Sequence, residues 1–226
     1  MSKFEGYYNS EIEKYGGIRN YINGKAKEKT PLLKRILKYS MKNKTILEAG
    51  CGSAANSIYL ANNNRNVTCI DKDEEMLNLA RKNSKLFKNK PNFLKKDIFE
   101  LNNGNFDVSF SHGVLEHYQD SEIIDLVNSQ LKSAEYVVVS IPSNFFKQEQ
   151  AINGDERFLS KGYWNKILNN TNGIIVENFS YFYDSDLTRI KLLKILAKIT
   201  FNILPSKKPY LGFVLRRKEN VYNPQA

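Results

Sequence analysis

TILEAGCGSAA, residues 45 to 55, decides the fold. Its first five residues form a short apolar run that predicts a strand, and the small, smooth run from Ser53 predicts a helix. Glycines between a strand and a helix let the backbone approach a ligand closely, and the helix then points its free N–H groups at that ligand. Glu48 does not fit a plain buried strand. A carboxylate two residues before Gly50 must find hydrogen-bond partners or a positive charge, or its burial costs several kcal/mol.

The same rhythm continues outward. NVTCID predicts a second strand ending at Asp71, about 20 residues after the loop, where a nucleotide-binding βαβ unit carries the acid that grips both ribose hydroxyls. EEMLNLARKNSKLF predicts an amphipathic helix, with acids in its first turn and bases later as the helix dipole favours. PNFLKKDI holds a third strand, FDVSFSHG a fourth, and YVVVSIP a fifth that Pro142 ends, with the helix SEIIDLVNSQLK before the fifth. Strand and helix alternate throughout, so the fold class is α/β, a Rossmann-like doubly wound, mostly parallel sheet covered on both faces. Upstream, residues 7 to 25 predict one or two helices broken at Gly16-Gly17 and Gly24. Thr30 is placed to cap the next helix, Pro31 suits its first turn, and Leu32, Leu33, Ile36, Leu37 and Met41 give it an apolar stripe. Downstream, LSKGYWNKILNNT predicts a helix, GIIVENFSYFY a sixth strand, LTRIKLLKILAKITFNIL a long helix and YLGFVLRRK a final strand. No linker separates these pieces. A single domain over 1–226 is expected, with an N-terminal cap (1–29), a core (30–180) and a helical insertion (185–206).

Composition excludes several classes. A chain of 226 residues with 41% hydrophobic content can bury a sizeable core. Two cysteines, Cys51 and Cys69, are too few for a secreted disulfide scaffold and read as small buried residues. The start MSKFEGYYNSE has no apolar core of a signal peptide, and no run of about 18 uncharged apolar residues exists. A cytoplasmic location is the expectation. Lys+Arg 34 against Asp+Glu 24 gives +10, a balance that fits a solvated lysine-rich surface and also attraction to RNA, anionic lipid or acidic substrates. No His/Cys cluster has metal-ligand spacing, so no metal is expected.

The loop alone does not choose a cofactor, since Gly50-x-Gly52-x-x-Ala55 also satisfies a dinucleotide fingerprint. Glu48 tilts the choice: S-adenosyl-L-methionine (SAM) carries a sulfonium cation and an ammonium group. The expected role of Glu48 is support, holding loop N–H groups or a water. Glu48-Ala-Gly50-Cys-Gly52-Ser-Ala54 resembles the E-x-G-x-G-x-G loop of class I SAM-dependent methyltransferases, with Ala54 at the third glycine. That departure is tolerable if the backbone there keeps φ negative. Asp71, Lys96-Asp97-Ile98, FDVSFSHGVLEHY and VVVSIP resemble the later motifs of the family's small-molecule branch, in the right order over roughly residues 30 to 180. The resemblance implies a seven-stranded sheet whose last strand is antiparallel. It also implies that Ala49, Gly50, Cys51 and Gly52 meet the methionine part of SAM and that Asp71 takes the ribose hydroxyls. Lys72 and Met76 would border ribose and adenine. Asp97 would accept from the adenine amino group beside Ile98. Ser111, His112 and Gly113 would lie near the transferred methyl.

Methyl transfer from a sulfonium is an in-line displacement with a good leaving group, so alignment supplies much of the rate and a base is needed only for a protonated acceptor. His112 is the candidate base, being titratable near neutral pH and expected to face the cleft. His117 and Glu116 are read as structural. In similar enzymes the N-terminal segment folds over the cofactor and forms part of the acceptor pocket, so the resemblance makes Tyr7, Tyr8 and Tyr15 candidate acceptor contacts, and aromatic faces also attract the donor's methylsulfonium. Arg157 and Tyr163 follow strand five, where substrate loops sit, with Arg157 equally suited to a surface ion pair. Residues 187 to 204 carry Lys191, Lys194 and Lys198 on one helical face. They fit a core-covering helix, a lid or oligomer face, or peripheral membrane contact. Methyl transfer to a small molecule leads these readings. RNA methylation, SAM binding without turnover, and nicotinamide chemistry are the alternatives.

Overall fold

Each apolar run between 45 and 142 becomes a strand, and each amphipathic run beside it a covering helix. The computed structural model describes residues 3–152, 154–181 and 210–218. Three helices come first: α1 (Lys3–Lys14), α2 (Ile18–Glu28) and α3 (Thr30–Tyr39). Then β1 (Thr45–Ala49), α4 (Ala55–Asn62), β2 (Asn66–Asp71), α5 (Glu74–Ser84) and β3 (Asn92–Lys95) alternate. After β4 (Phe106–His112) come α6 (Asp120–Ser133), β5 (Ala134–Pro142), α7 (Lys161–Asn169), β6 (Gly173–Tyr181) and β7 (Tyr210–Arg217). The whole expected insertion, residues 185–206, with the expected basic helix 187–204, lies outside the described residues.

The seven strands form one sheet in the order β3-β2-β1-β4-β5-β7-β6. β7 runs antiparallel to both of its neighbours, and the other strand pairs are parallel. The order in which strands are added reverses between β1 and β4, the switch point outside whose carboxyl ends such sheets bind ligands. Alternation along β1 shows how two cores arise from one strand. Ile46 packs with Leu32, Ile36, Ile58 and Phe110 on one face, and Leu47 packs with Ile123, Leu126, Val137 and Phe213 on the other. Helices α2 to α5 cover the first face, and α6 with α7 covers the second. Trp164 of α7 is fully buried in this second core.

Three local expectations are corrected. Gly24 does not break a helix: it lies inside α2, and a Cβ there would meet the Tyr15 ring at 2.3 Å, so its bareness serves packing. Thr30 does not cap α3. Lys29 holds that position, while the Thr30 hydroxyl donates back to the Lys27 carbonyl (2.8 Å) as part of a nearly continuous turn. Met41 lies past the end of α3 and is 65% exposed, because the stripe stops where the helix does.

Candidate functional site

The loop after β1 is held from below by β2. The Gly50 and Cys51 N–H groups both donate to the Ile70 carbonyl (2.9 and 3.1 Å), and the Gly52 N–H donates to Asp71 Oδ2 (3.0 Å). Asp71 Oδ1 meanwhile accepts from the Asp73 N–H (3.0 Å). One carboxylate thus shapes the glycine loop and the start of α5 together. Both loop glycines are required. Gly50 has φ 72°, and a Cβ there would lie 2.8 Å from Val114 Cγ2; Gly52 has φ 53°, and its Cβ would lie 2.8 Å from the Tyr8 hydroxyl. Ala54 departs from expectation: its φ is +56°, in the left-handed region that costs an alanine roughly 1–2 kcal/mol. The fully buried methyl, the Ala54 N–H bond to Cys51 O (2.8 Å) and the α4 bond from Ile58 N–H to Ala54 O (2.9 Å) hold it there.

Glu48 supports the loop by a different route from the one expected. Its carboxylate accepts from Asn56 Nδ2 (3.1 Å) and from the Ser57 hydroxyl, tying β1 to the first turn of α4 rather than to the loop N–H groups. Burial pushes Glu48 up to about 7 despite those bonds and the attraction of Lys29. Lys29, also buried, is pulled down to about 8.

Two cavities open at this end of the sheet. The first, about 290 Å³, is lined by Gly50, Gly52, Asp71, Lys72 and Met76, with Asp97, Ile98 and Gly113 completing the wall. Asp97 also accepts from the Phe99 N–H (3.1 Å), which fixes its carboxylate. The second, about 190 Å³, is lined by Glu48, Cys51, His112, Glu116 and Tyr7, with aromatic walls from Phe146, Phe158 and Tyr210. Tyr8, Gly50, Gly113 and His117 line both, so the cavities meet along one seam. Tyr7 and Tyr8 pack edge to face at the lip, ring centroids 5.3 Å apart. His112 Nδ1 contacts the Ser140 hydroxyl (3.1 Å), which in turn meets the Tyr181 hydroxyl (2.7 Å). Burial first, then the nearby Lys29 and Lys25 charges, hold His112 well below the usual histidine range, so the ring is neutral at pH 7.

Several expected contacts fall elsewhere. Tyr15 packs on Gly24 and donates to Glu28, away from both cavities. Tyr163 is half-exposed and donates to Asp120 Oδ2 (2.9 Å). Arg157 donates to the Tyr118 carbonyl and to Asp120 Oδ1 (both 2.7 Å), bracing the turn after β4 instead of facing a ligand. Ala49 and Ser111 are buried within their strands and line neither cavity. Other lining residues were not singled out from sequence. Tyr118 and Asp73 border the first cavity, and Lys25, Lys29 and Tyr210 border the second. Tyr210 had a usable signal: it starts an antiparallel last strand, and such a strand begins at the ligand-binding end. His117, expected to be structural, bonds Asp155 Oδ1 through Nδ1 (2.8 Å) and faces both cavities. His117, Asp155 and Glu156 bring ligating atoms within 4.8 Å of one another, a cluster that spacing along the chain does not reveal.

A glycine loop at the switch point, braced by the acid that ends β2 and opening on a paired cavity, defines a nucleotide-cofactor protein of the doubly wound class. Residues 40–178, more than half of the chain, match the model of a methyltransferase domain family, and the chain belongs to that family, the class I SAM-dependent methyltransferases. A ubiquinone biosynthesis O-methyltransferase from Hydrogenovibrio crunogenus is 32% identical over 112 residues, 48% of this chain and 46% of its own. The match therefore spans less than half of that relative's length. Among solved structures, magnesium protoporphyrin IX methyltransferase from Synechocystis PCC 6803, with bound SAM, superposes with TM-score 0.60 at 18% identity, covering 86% of this chain and 80% of that one. A SAM-dependent methyltransferase from Clostridium acetobutylicum ATCC 824 gives TM-score 0.62 at 12% identity, covering 85% and 92%.

Proposed function

We propose that the protein transfers the methyl group of SAM to a small-molecule acceptor by in-line displacement. The observation that carries this reading is the pair of joined cavities at the switch point, one bordered by the glycine loop, Asp71 and Asp97, the other by aromatic side chains interleaved with charged ones. The first fits the adenosine part of SAM. Asp71 would take the ribose hydroxyls, Asp97 and Ile98 the adenine, and Lys72 and Met76 the flanks. The methionine part would run along Gly50, Cys51 and Gly52 toward the seam, with the sulfonium then beside Tyr8 and Gly113. Tyr8 offers a π-face suited to that cation, and its burial keeps the phenol protonated.

The acceptor would occupy the second cavity between Tyr7, Phe146, Phe158 and Tyr210. At about 190 Å³, walled by these aromatics and by the charged Lys25, Lys29, Glu48, Glu116 and Glu156, it suits a small acceptor with polar groups better than a nucleic-acid backbone. The Hydrogenovibrio relative is named an O-methyltransferase of ubiquinone biosynthesis, which supports a small acceptor. His112 is the side chain of β4 that would meet it. Neutral, the imidazole adds no repulsion to a sulfonium and can accept a hydrogen bond. Its lowered basicity favours orienting the acceptor over holding a free proton. Docking both molecules along one seam would supply the approach geometry on which displacement depends.

Calorimetric titration of SAM and of NADH into the purified chain tests the cofactor. SAM should bind and NADH should not; NADH binding without SAM binding would sink the reading. Asp71→Ala removes two charge-assisted hydrogen bonds to ribose, about 1.5–3 kcal/mol each, and also frees the Gly52 N–H. It should weaken SAM at least roughly tenfold, and an unchanged affinity would refute the ribose assignment.

A further inference from the structure

Where the two cavities meet, one ring nitrogen of His117 and one carboxylate oxygen from each of Asp155 and Glu156 all lie within 4.8 Å of one another. His117 lines both cavities, Asp155 the first and Glu156 the second. An independent observation points to the same place. Glu116 is only 4% exposed, lines the second cavity, and has an Oε2 with no hydrogen-bond partner among the described residues. A buried carboxylate oxygen without a donor is costly, and here it sits beside further carboxylates rather than a cation. Arg157, next in the chain to Glu156, turns its guanidinium to the Tyr118 carbonyl and Asp120.

We propose that Glu116, His117, Asp155 and Glu156 form a divalent cation site on the seam between the cofactor and acceptor cavities. The parts are already positioned for it. Glu156 accepts the Ile152 and Gly154 N–H groups (2.7 and 2.9 Å), which fixes the position of its carboxylate. Asp155 Oδ1 and His117 Nδ1 lie 2.8 Å apart, the spacing of two neighbouring ligands on one cation, which would replace the hydrogen bond between them. One imidazole among carboxylate oxygens suits Mn²⁺ or Mg²⁺, with water or substrate oxygen completing the shell. A cation there faces the acceptor cavity and would draw in an acceptor through a hydroxyl oxygen, whose proton it would make easier to lose. That last consequence rests on the methyl-transfer reading; the metal site does not.

The test uses the full chain, stripped with a chelator and dialysed. Mn²⁺ alone is titrated by electron paramagnetic resonance, and SAM is titrated separately without metal. The expected result is one Mn²⁺ per chain, displaced by excess Mg²⁺. Asp155→Asn and Glu116→Gln should each weaken it roughly tenfold or more, while Glu75→Gln, an exposed carboxylate on α5, should leave it unchanged. Asp155 is largely exposed, so its variant keeps the test valid should Glu116→Gln fail to fold. A chain that binds SAM yet takes up no stoichiometric Mn²⁺ would overturn the proposal. So would an Mn²⁺ affinity indifferent to Asp155→Asn. Stoichiometric Mn²⁺ without any SAM binding would uphold the metal site and refute the cofactor reading.

Discussion

Glu48 shows what one residue contributes at this site. Its odd position in an apolar strand is visible in the sequence, and so is its need for partners. Which partners it takes is not, because Asn56 and Ser57 reach it only once α4 folds back over the loop. Burial raises Glu48 from 4.5 to about 7, so the folded chain binds that proton more tightly than the unfolded chain does. The resulting stability is fully present below pH 4.5 and is lost as pH rises through about 7. Glu48→Gln should remove this dependence, so that wild type loses on the order of 2 kcal/mol relative to the variant between pH 4.5 and pH 8. Urea denaturation of both proteins at those two pH values measures it; an equal gap at both would exclude a buried acid with a raised pKa. Lys29 faces Glu48, and at pH 7 its charge opposes part of the effect. Ala54 carries the complementary lesson. The family pattern marks the position as a glycine, but whether an alanine there would flip to positive φ depended on burial of its methyl, which is a tertiary fact.

Elements were far easier to read than contacts. Five strands and their covering helices followed from period and punctuation alone, because a buried parallel strand must be a short apolar run and its helix must be amphipathic. Errors gathered at helix ends. Thr30 looks like a cap, yet α2 and α3 nearly fuse there, and tertiary packing rather than local propensity sets the boundary. The His117–Asp155 pairing lies 38 residues apart in sequence, so no local spacing could have suggested it. Element packing also makes a sharp prediction at β7. A Cβ at Gly212 would come within 2.2–2.5 Å of the Phe179 ring on β6, and both flanking strands are fixed by the register of the sheet. Gly212→Ala should therefore destabilise the fold by about 1–3 kcal/mol, read as a lowered urea midpoint at unchanged slope. Gly162→Ala, where no atom lies closer than 3.9 Å to the added methyl, is the matched control.

At the scale of the molecule, the two cores share every central strand, which favours cooperative unfolding and the proposal of a single domain. The chain's one tryptophan, Trp164, sits fully buried in the second core, away from both cavities. Its emission should shift red in a single transition coincident with loss of far-UV circular dichroism, and should barely respond to SAM. Two separated transitions would divide the chain into independent units. No helix among the described residues is long and apolar enough to cross a membrane. The order of the sheet has a kinetic consequence. Among the described residues β6 pairs with β7 alone, so a strand later in sequence is what attaches the earlier one. The β1–β2–β3 and β4–β5 pairs can close through short crossovers, whereas β6 must wait for β7 to wedge against β5. Closing that last pair is the slow, long-range event of assembly, and β6 amides should be the first of the sheet to exchange with solvent deuterium when β7 lifts away.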